Sequence, residues 1–521
     1  MLFISCALWA QDLGSQINKV GQTLFYLHNY YLDTVDVSKL VDQVIAKTIL
    51  ELDPHSAYIP AKDVQAANEP LDGNFEGIGV EFSIIMDTLV VVAPVAGGPS
   101  ESVGVYAADR IVAVNDTVVA GIGLTNERVF SLLRGPKGTK VNLTVVRKGA
   151  KEPLHFQVIR DKIPINSLDA VFEALPDIAY LRLTRFTLTS MTEFIDAIST
   201  KFKRKPQGVI LDLRGNPGGY MHIAQMIAEQ FLEKGKLMVY TEGAHMPRME
   251  EAASGLGFFI QTPVVLLLDE GSASASEVVA GALQDWDRAI VIGRRSFGKG
   301  LVQHPLPLSD GSQIRLTVGR YHTPTGRVIQ TPYIQGDKEG YYQNTVDRYL
   351  RGELFSKDSI HFMESLSYQT LVTKRTVYGG GGIMPDIFVP HDTTGYSPYW
   401  SQMIRKGIVV EFMNRYIDGV RETLSKQYKQ FSAFKSNYQV PDAAVEEMIA
   451  FAQTKGLPRD DEGLRVSLPL MRIQMKALIA RTLFDSSAYV QIIYEWKDPA
   501  YQKALEVMQN WSRYEKEILG K

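Results

Sequence analysis

Apolar residues along this chain change their period several times, and each change marks a different kind of element. Between residues 15 and 68, Val20, Leu24 and Leu27, and later Leu40, Val44, Ile45 and Thr48, recur at helical spacing, and the stretch LDPHSAYIP (Leu52 to Pro60) breaks the run. From Asn74 to about Arg160 the pattern becomes short strands: GIGVEFSI, TLVVVAPV, DRIVAVND, KVNLTVVRKG and HFQVIRD, separated by Gly and Asp turns. One helix-like segment, Asn126 to Leu133, interrupts them before RGPKGT. After Pro164 strands alternate with helices. IAYLRLTRF leads to TSMTEFIDAISTKF, GVILDL to GYMHIAQMIAEQFL, and VVLLLD to SASEVVAGALQDW, with AIVIG and QIRLTVGRYHT as further strands. Continuously apolar strands of this kind are buried on both faces, which predicts an α/β core. From about Tyr396 the chain is helical again, with Met471, Met475, Leu478, Ile479 and Leu483 on one stripe.

Length and charge narrow the function class. The chain has 521 residues, so three or four compact units are expected at roughly 100–200 residues each. A formal net charge of −3 gives no electrostatic reason to expect nucleic acid or an anionic membrane as partner. The single cysteine, Cys6, can form neither an internal disulfide nor a zinc cluster. Residues 1–10 (MLFISCALWA) are apolar and uncharged, and they read as the core of an export leader cut after Ala10, although the basic end is missing. Phe3-Ile4-Ser5 fits a lipid-attachment site poorly, so Cys6 belongs with the leader. The mature protein is expected to be periplasmic or secreted.

Two strand-to-helix turns could carry chemistry. In Asp212-Leu213-Arg214-Gly215-Asn216-Pro217-Gly218-Gly219 the glycines let backbone N–H groups approach a ligand at a helix mouth. In Gly271-Ser272-Ala273-Ser274-Ala275-Ser276-Glu277 small residues clear space around a serine that opens a helix. Read alone, Ser274 with Glu277 three residues later is equally a capping box, which makes Glu277 structural. The third element, Arg294-Arg295-Ser296-Phe297-Gly298-Lys299-Gly300, looks superficially like a phosphate loop. Gly300 stands where Ser or Thr would hold Mg²⁺, and a strand pattern follows, so nucleotide binding is rejected. A lysine among glycines beside two arginines is instead pushed towards its neutral form, and a neutral amine can take a serine's proton. None of the nine histidines has metal-ligand spacing; His222 and His304 lie nearest these loops and read as structural or surface residues. No cofactor or metal is implied.

Taken together, LDLRGNPGG, GSASASE and RSFGKGLVQ resemble the carboxyl-terminal processing peptidases, the tail-specific serine proteases of family S41 with a Ser–Lys active site. The resemblance runs from Leu52 to about Ile387. It implies Ser274 as nucleophile, Lys299 as general base, Gln303 as the residue that holds the lysine amine, and the Gly219 and Ala275 N–H groups as oxyanion hole. Ser272 and Ser276 are the competing serines. The fold implied is multidomain α+β: a PDZ-like β unit and a crotonase-like α/β spiral as serine protease core, flanked by helical regions. The expected division is a leader at 1–10, a helical region at 11–71, a PDZ domain at 72–163, a protease core at 164–395 and a helical domain at 396–521.

The PDZ resemblance places a peptide's C-terminus at Gly77-Ile78-Gly79-Val80, added as a strand. Arg134 is expected to pair with a substrate carboxylate or with the protease body. PSESVGVYAADRI (Pro99 to Ile111) departs from the usual pattern, losing a small-residue helix and the glycine before Asp109. The partners implied are polypeptides with free C-termini, an adaptor or activating protein, and a second copy held through the C-terminal helices. The rival expectation is a non-catalytic or latched PDZ scaffold. An acyltransferase or hydratase on a similar spiral lacks any cofactor signature.

Overall fold

A computed structural model describes residues 2–95, 97–147 and 149–521, with side chains from Leu13 onward; the expectations on the leader and on Cys6 fall outside the described side chains. The protease-like half is built on a six-stranded sheet in the order Leu168–Leu175, Ile178–Leu183, Gly208–Asp212, Val264–Leu268, Ile290–Gly293, Ile387–Phe388. The first pair is antiparallel and the rest are parallel. Every residue of Gly208–Asp212 and Val264–Leu268 is buried, as strands covered on both faces require. One face packs on the helices Ser190–Lys201, Met221–Glu229 and Ala275–Asp285 through Phe194, Ile223, Ile227, Val279 and Leu283. The other face, with Tyr180, Ile210, Val265 and Ile292, is covered from the far end of the chain. Val490 of helix Ser486–Lys497 and Tyr501, Ala504 and Val507 of helix Pro499–Gln509 do this. The last helices therefore complete the α/β layers, whereas the helices from Pro398–Arg405 to Asp461–Leu483 enclose a core of their own around Trp400, Phe434, Met448 and Met475.

A second sheet assembles the floor of the cleft described below. Gln313–His322 pairs with Leu301–Pro307, with Leu237–Gly243 and with the short strand Ala57–Ile59. The stretch LDPHSAYIP that broke the helical pattern is thus the sheet edge, between helices Val37–Leu50 and Ala61–Asp72. The all-antiparallel β unit has the strand order Val80–Ile85, Thr88–Pro94, Arg110–Val114, Lys140–Val146, Leu154–Ile159 over a core of Leu89, Ile111, Val129, Val141 and Val158. It is attached by a two-stranded stalk, Asn74–Gly77 against Asp161–Pro164. The shortened segment after Pro99 keeps one helical turn, Pro99–Ser102, and Asp109 behind it is gripped twice by Arg147 at 2.7 Å. Among the described residues no helix is long and apolar enough to cross a membrane.

Candidate active site

The C-terminal ends of parallel strands are where the loops of an α/β sheet meet. Here they meet the second sheet around a cleft of about 410 Å³ lined by Ser274, Ala275, Gly218, Gly219, Lys299, Gln303 and Tyr321. The three loops singled out in the sequence, spread over residues 212–303, thus share one cavity. His222 and His304 are exposed and lie outside its lining.

Ser274 sits between strand Val264–Leu268 and helix Ala275–Asp285 at φ 54°, ψ −113°. A non-glycine residue there costs roughly 1–3 kcal/mol and persists only when its surroundings hold it. Three contacts do so. Glu277 accepts the Ser274 N–H at 2.8 Å. The Tyr321 hydroxyl donates to the Ser274 carbonyl at 3.1 Å. Gly218 lies so close that a Cβ on it would stand 2.8 Å from Ser274 Cβ. The competing serines are fully buried and engaged: Ser272 donates to Leu213 O at 2.8 Å and Ser276 to Asn216 O at 2.9 Å.

Glu277 does more than cap its helix. Its fully buried carboxylate also accepts the N–H groups of Gly298 at 2.7 Å and Lys299 at 2.9 Å, and the Ser296 hydroxyl. One side chain therefore ties the serine turn to the lysine loop. Burial pushes its pKa up to about 7 against these four donors.

Lys299 donates from Nζ to Gln303 Oε1 at 2.9 Å, and Gln303 Nε2 donates to the His55 carbonyl at 2.6 Å. The four-residue spacing works without a helix, because Lys299 stands in the loop and Gln303 on strand Leu301–Pro307. Burial pushes the lysine below its ordinary pKa and the Arg315 charge adds to this, while Asp53 and Glu277 oppose it. The amide of Gln303 orients the amine without adding a charge that would keep it protonated. Behind it, Asp53 is buried and accepts from the Ser56 hydroxyl, the Ser56 and His55 N–H groups and Thr317. His55 contacts Tyr341 and is pushed down to about 4, chiefly by burial and then by Lys299, so it is neutral above that pH.

The glycine loop faces Ser274. Ala275 opens its helix, so its N–H has no carbonyl a turn back to bond. Gly219 bridges Phe186 through the flanking groups, with Phe186 N–H to Gly218 O and Tyr220 N–H to Phe186 O both at 3.0 Å, which leaves the Gly219 N–H outside that pairing. Asn216 braces the loop from within, bonding Leu183 O and the Gly218 N–H.

In the β unit, Gly77, Ile78, Gly79 and Val80 lead into Val80–Ile85, an edge strand with one side unpaired by the sheet. Gly79 takes φ 71°, and Ile78 and Gly79 offer their carbonyls to Ser100 and Val95. Phe82 meets Phe130 of helix Asn126–Leu133 across the groove beside this strand. Arg134 pairs with Glu69 at 2.6 Å on helix Ala61–Asp72 and lies over the Phe75 and Phe130 rings. That partner belongs to the N-terminal helical region and not to the protease core.

Sequence reasoning missed Tyr321, Asp53, His55 and Arg315. Tyr321 bridges the serine and lysine loops, its one hydroxyl hydrogen shared between the Ser274 and Lys299 carbonyls. The motif LDPHSAYIP was a visible signal for Asp53 and His55; Tyr321 had none.

Family models agree with this architecture. Peptidase family S41 matches residues 177–339, a PDZ domain matches 90–147, and a family of unknown function matches 399–485. The chain is 35% identical over 362 residues to a carboxy-terminal-processing protease of Bartonella bacilliformis, covering 67% of this chain and 82% of that protein. It is 32% identical over 322 residues to the carboxy-terminal processing protease CtpB of Bacillus subtilis, covering 61% and 66% respectively. A solved photosystem II D1 C-terminal processing protease is 31% identical, with a TM-score of 0.35 over 60% of this chain and 83% of that one. The chain is a serine protease with a PDZ domain. It belongs to the carboxy-terminal-processing proteases of peptidase family S41.

Proposed function

We propose that this protein cuts polypeptides near their C-termini through a Ser274–Lys299 acyl-enzyme mechanism. The observation that carries this is that a strained, half-buried serine and a desolvated lysine held by Gln303 line one cleft. The neutral Lys299 amine takes the Ser274 proton as Oγ attacks the scissile carbonyl carbon. The Gly219 and Ala275 N–H groups hold the resulting oxyanion, each such donor typically contributing about 10²–10³ in kcat. The ammonium then protonates the departing amine, and the regenerated amine activates a water that hydrolyses the acyl-enzyme. No cofactor enters the scheme. Ser274→Ala and Lys299→Ala are each expected to abolish cleavage of an unstructured peptide with folding intact; robust turnover by either rejects the assignment.

PDZ binding of the substrate's C-terminus and gating of the cut belong to the same proposal. Support comes from a chain of contacts. Arg134 holds Glu69; the adjacent Asn68 and Ala67 accept from Arg315 at 2.8 Å; and Arg315 bears on Lys299. A peptide with a free C-terminus is expected to be cut faster than its amidated twin, and equal rates remove the gating claim. The domain limits 11–71, 72–163, 164–395 and 396–521 belong to this proposal, with helices Ser486–Lys497 and Pro499–Gln509 of the last unit packed on the protease sheet; so do an exported location, an adaptor and self-association through the C-terminal helices. The latched-scaffold alternative predicts no turnover until a partner is added.

A further inference from the structure

We propose that Arg185 makes this protease select substrates carrying a carboxylate within two residues of the scissile bond. The inference rests on the cleft being the proteolytic site. Arg185 lines that cleft immediately before Phe186, the residue that bridges Gly219. Phe186 is fully buried, so its half-buried neighbour sets the cleft wall beside the glycine loop. The other ionisable groups lining the cleft are engaged. Asp72 accepts from the Tyr220 hydroxyl at 3.1 Å, Lys299 donates to Gln303 at 2.9 Å, and Arg315 donates to Ala67 O and Asn68 Oδ1 at 2.8 Å. Among the described residues the Arg185 guanidinium has no hydrogen-bond, ion-pair or ring partner.

A guanidinium keeps its charge at any working pH, and half-burying it without a partner is unfavourable. A substrate carboxylate relieves that cost with two parallel hydrogen bonds, where an ammonium repels it. Position matters as well. A carboxylate against Lys299 would keep the amine protonated, and Arg315, not Arg185, is the cation that bears on Lys299. Selection at Arg185 therefore adds an acidic preference on the glycine-loop side without disarming the base. The carboxylate comes either from an Asp or Glu side chain or from the substrate's own C-terminus when the cut falls next to it.

The test maps cuts by the full-length protein in a library of unstructured peptides by mass spectrometry. It then measures kcat/KM for peptide pairs that differ as Asp against Lys beside the mapped bond. Wild type is expected to favour Asp about tenfold. The Asp-to-Lys ratio should fall towards one in Arg185→Ala, invert in Arg185→Glu, and be partly kept in Arg185→Lys. Taking the ratio within each variant makes the reading independent of total activity. Preference in amidated peptides cut far from their ends assigns the side-chain source; preference confined to cuts beside a free terminus assigns the terminal carboxylate. No charge preference in wild type, or an unchanged ratio in Arg185→Glu, overturns the proposal. Cutting by Ser274→Ala at the wild-type rate overturns the reading of the cleft itself, and this inference with it.

Discussion

Replacing Gly219 by alanine tests the oxyanion arrangement most directly. A Cβ on Gly219 would stand 2.0 Å from the Phe186 carbonyl oxygen, 2.8 Å from its carbon and 3.0 Å from its Cα. An ordinary contact of this kind needs about 3.4 Å, so one partner has to move by more than about 1 Å. Neither is free to do so: Phe186 is pinned by hydrogen bonds to both Gly218 and Tyr220, and Asn216 holds the loop from below. The backbone at φ 149° adds a strain of about 1–3 kcal/mol for any residue with a Cβ. A shift of that size carries the Gly219 N–H outside the 2.7–3.1 Å window an oxyanion needs, and the expected loss is about 10²–10³ in kcat with KM little changed. Gly215→Ala is the control. It sits in the same loop at φ 66° and pays the backbone strain, but nothing lies within 4 Å of its Cβ, so most of kcat should survive. Steady-state kinetics on one peptide, with circular dichroism to confirm folding, decide the matter. A folded Gly219→Ala enzyme within threefold of wild-type kcat refutes the oxyanion role.

Further outcomes follow from the same contacts. Glu277, raised by burial to about 7, favours the fold at acid pH, and this contribution is lost as pH rises from its ordinary 4.5 through about 7. Denaturant titrations should show wild type losing about 3 kcal/mol relative to Glu277→Gln over that range. Activity should run the other way, rising as the carboxylate ionises to hold the Gly298 and Lys299 N–H groups; a parallel profile in Glu277→Gln contradicts this. Because Lys299 acts as an amine, kcat/KM should climb on the alkaline side, and Arg315→Gln should move that climb to higher pH; coincident profiles would remove Arg315 from the account. Asp498 grips Arg214 at the root of the glycine loop with two hydrogen bonds of 2.9 Å. Asp498→Ala is expected to cost about 2–3 kcal/mol in unfolding free energy and to lower kcat more than it raises KM. Arg134→Ala, which frees Glu69, should lower cleavage several-fold for free-ended peptides and narrow their advantage over amidated ones, as read in a competition assay.

The order of elements and the chemistry of the loops were legible in the sequence because their signals are local. Glycines with positive φ, such as Gly218, Gly219 and Gly298, must be glycines wherever the loop goes, and apolar runs such as VVLLL declare a strand buried on both faces. Ser274 and Lys299 stood out for the same reason, each set in a run of small residues that would be unusual on an ordinary surface. The four-residue step from Lys299 to Gln303 was visible too, although it is made by a loop and a strand and not by a helical turn.

What the chain alone could not disclose is who meets whom across long separations. Tyr321 looks like any strand tyrosine until the register of Gln313–His322 against Leu301–Pro307 aims its hydroxyl at two loop carbonyls. Glu277 satisfied a local capping pattern, and only packing brought Ser296, Gly298 and Lys299 onto the same carboxylate. The second face of the protease sheet is covered by Val490, Tyr501 and Val507 from a tail expected to form a flanking helical domain, because an amphipathic stripe states that a helix is buried but not against what. The pairing of Arg134 with Glu69, 65 residues away, is of the same kind. Periodicity and turn chemistry act over a few residues, so the elements and the candidate reactive groups could be read from the chain; which groups meet depends on sheet register and layer packing, which exist only in the folded molecule.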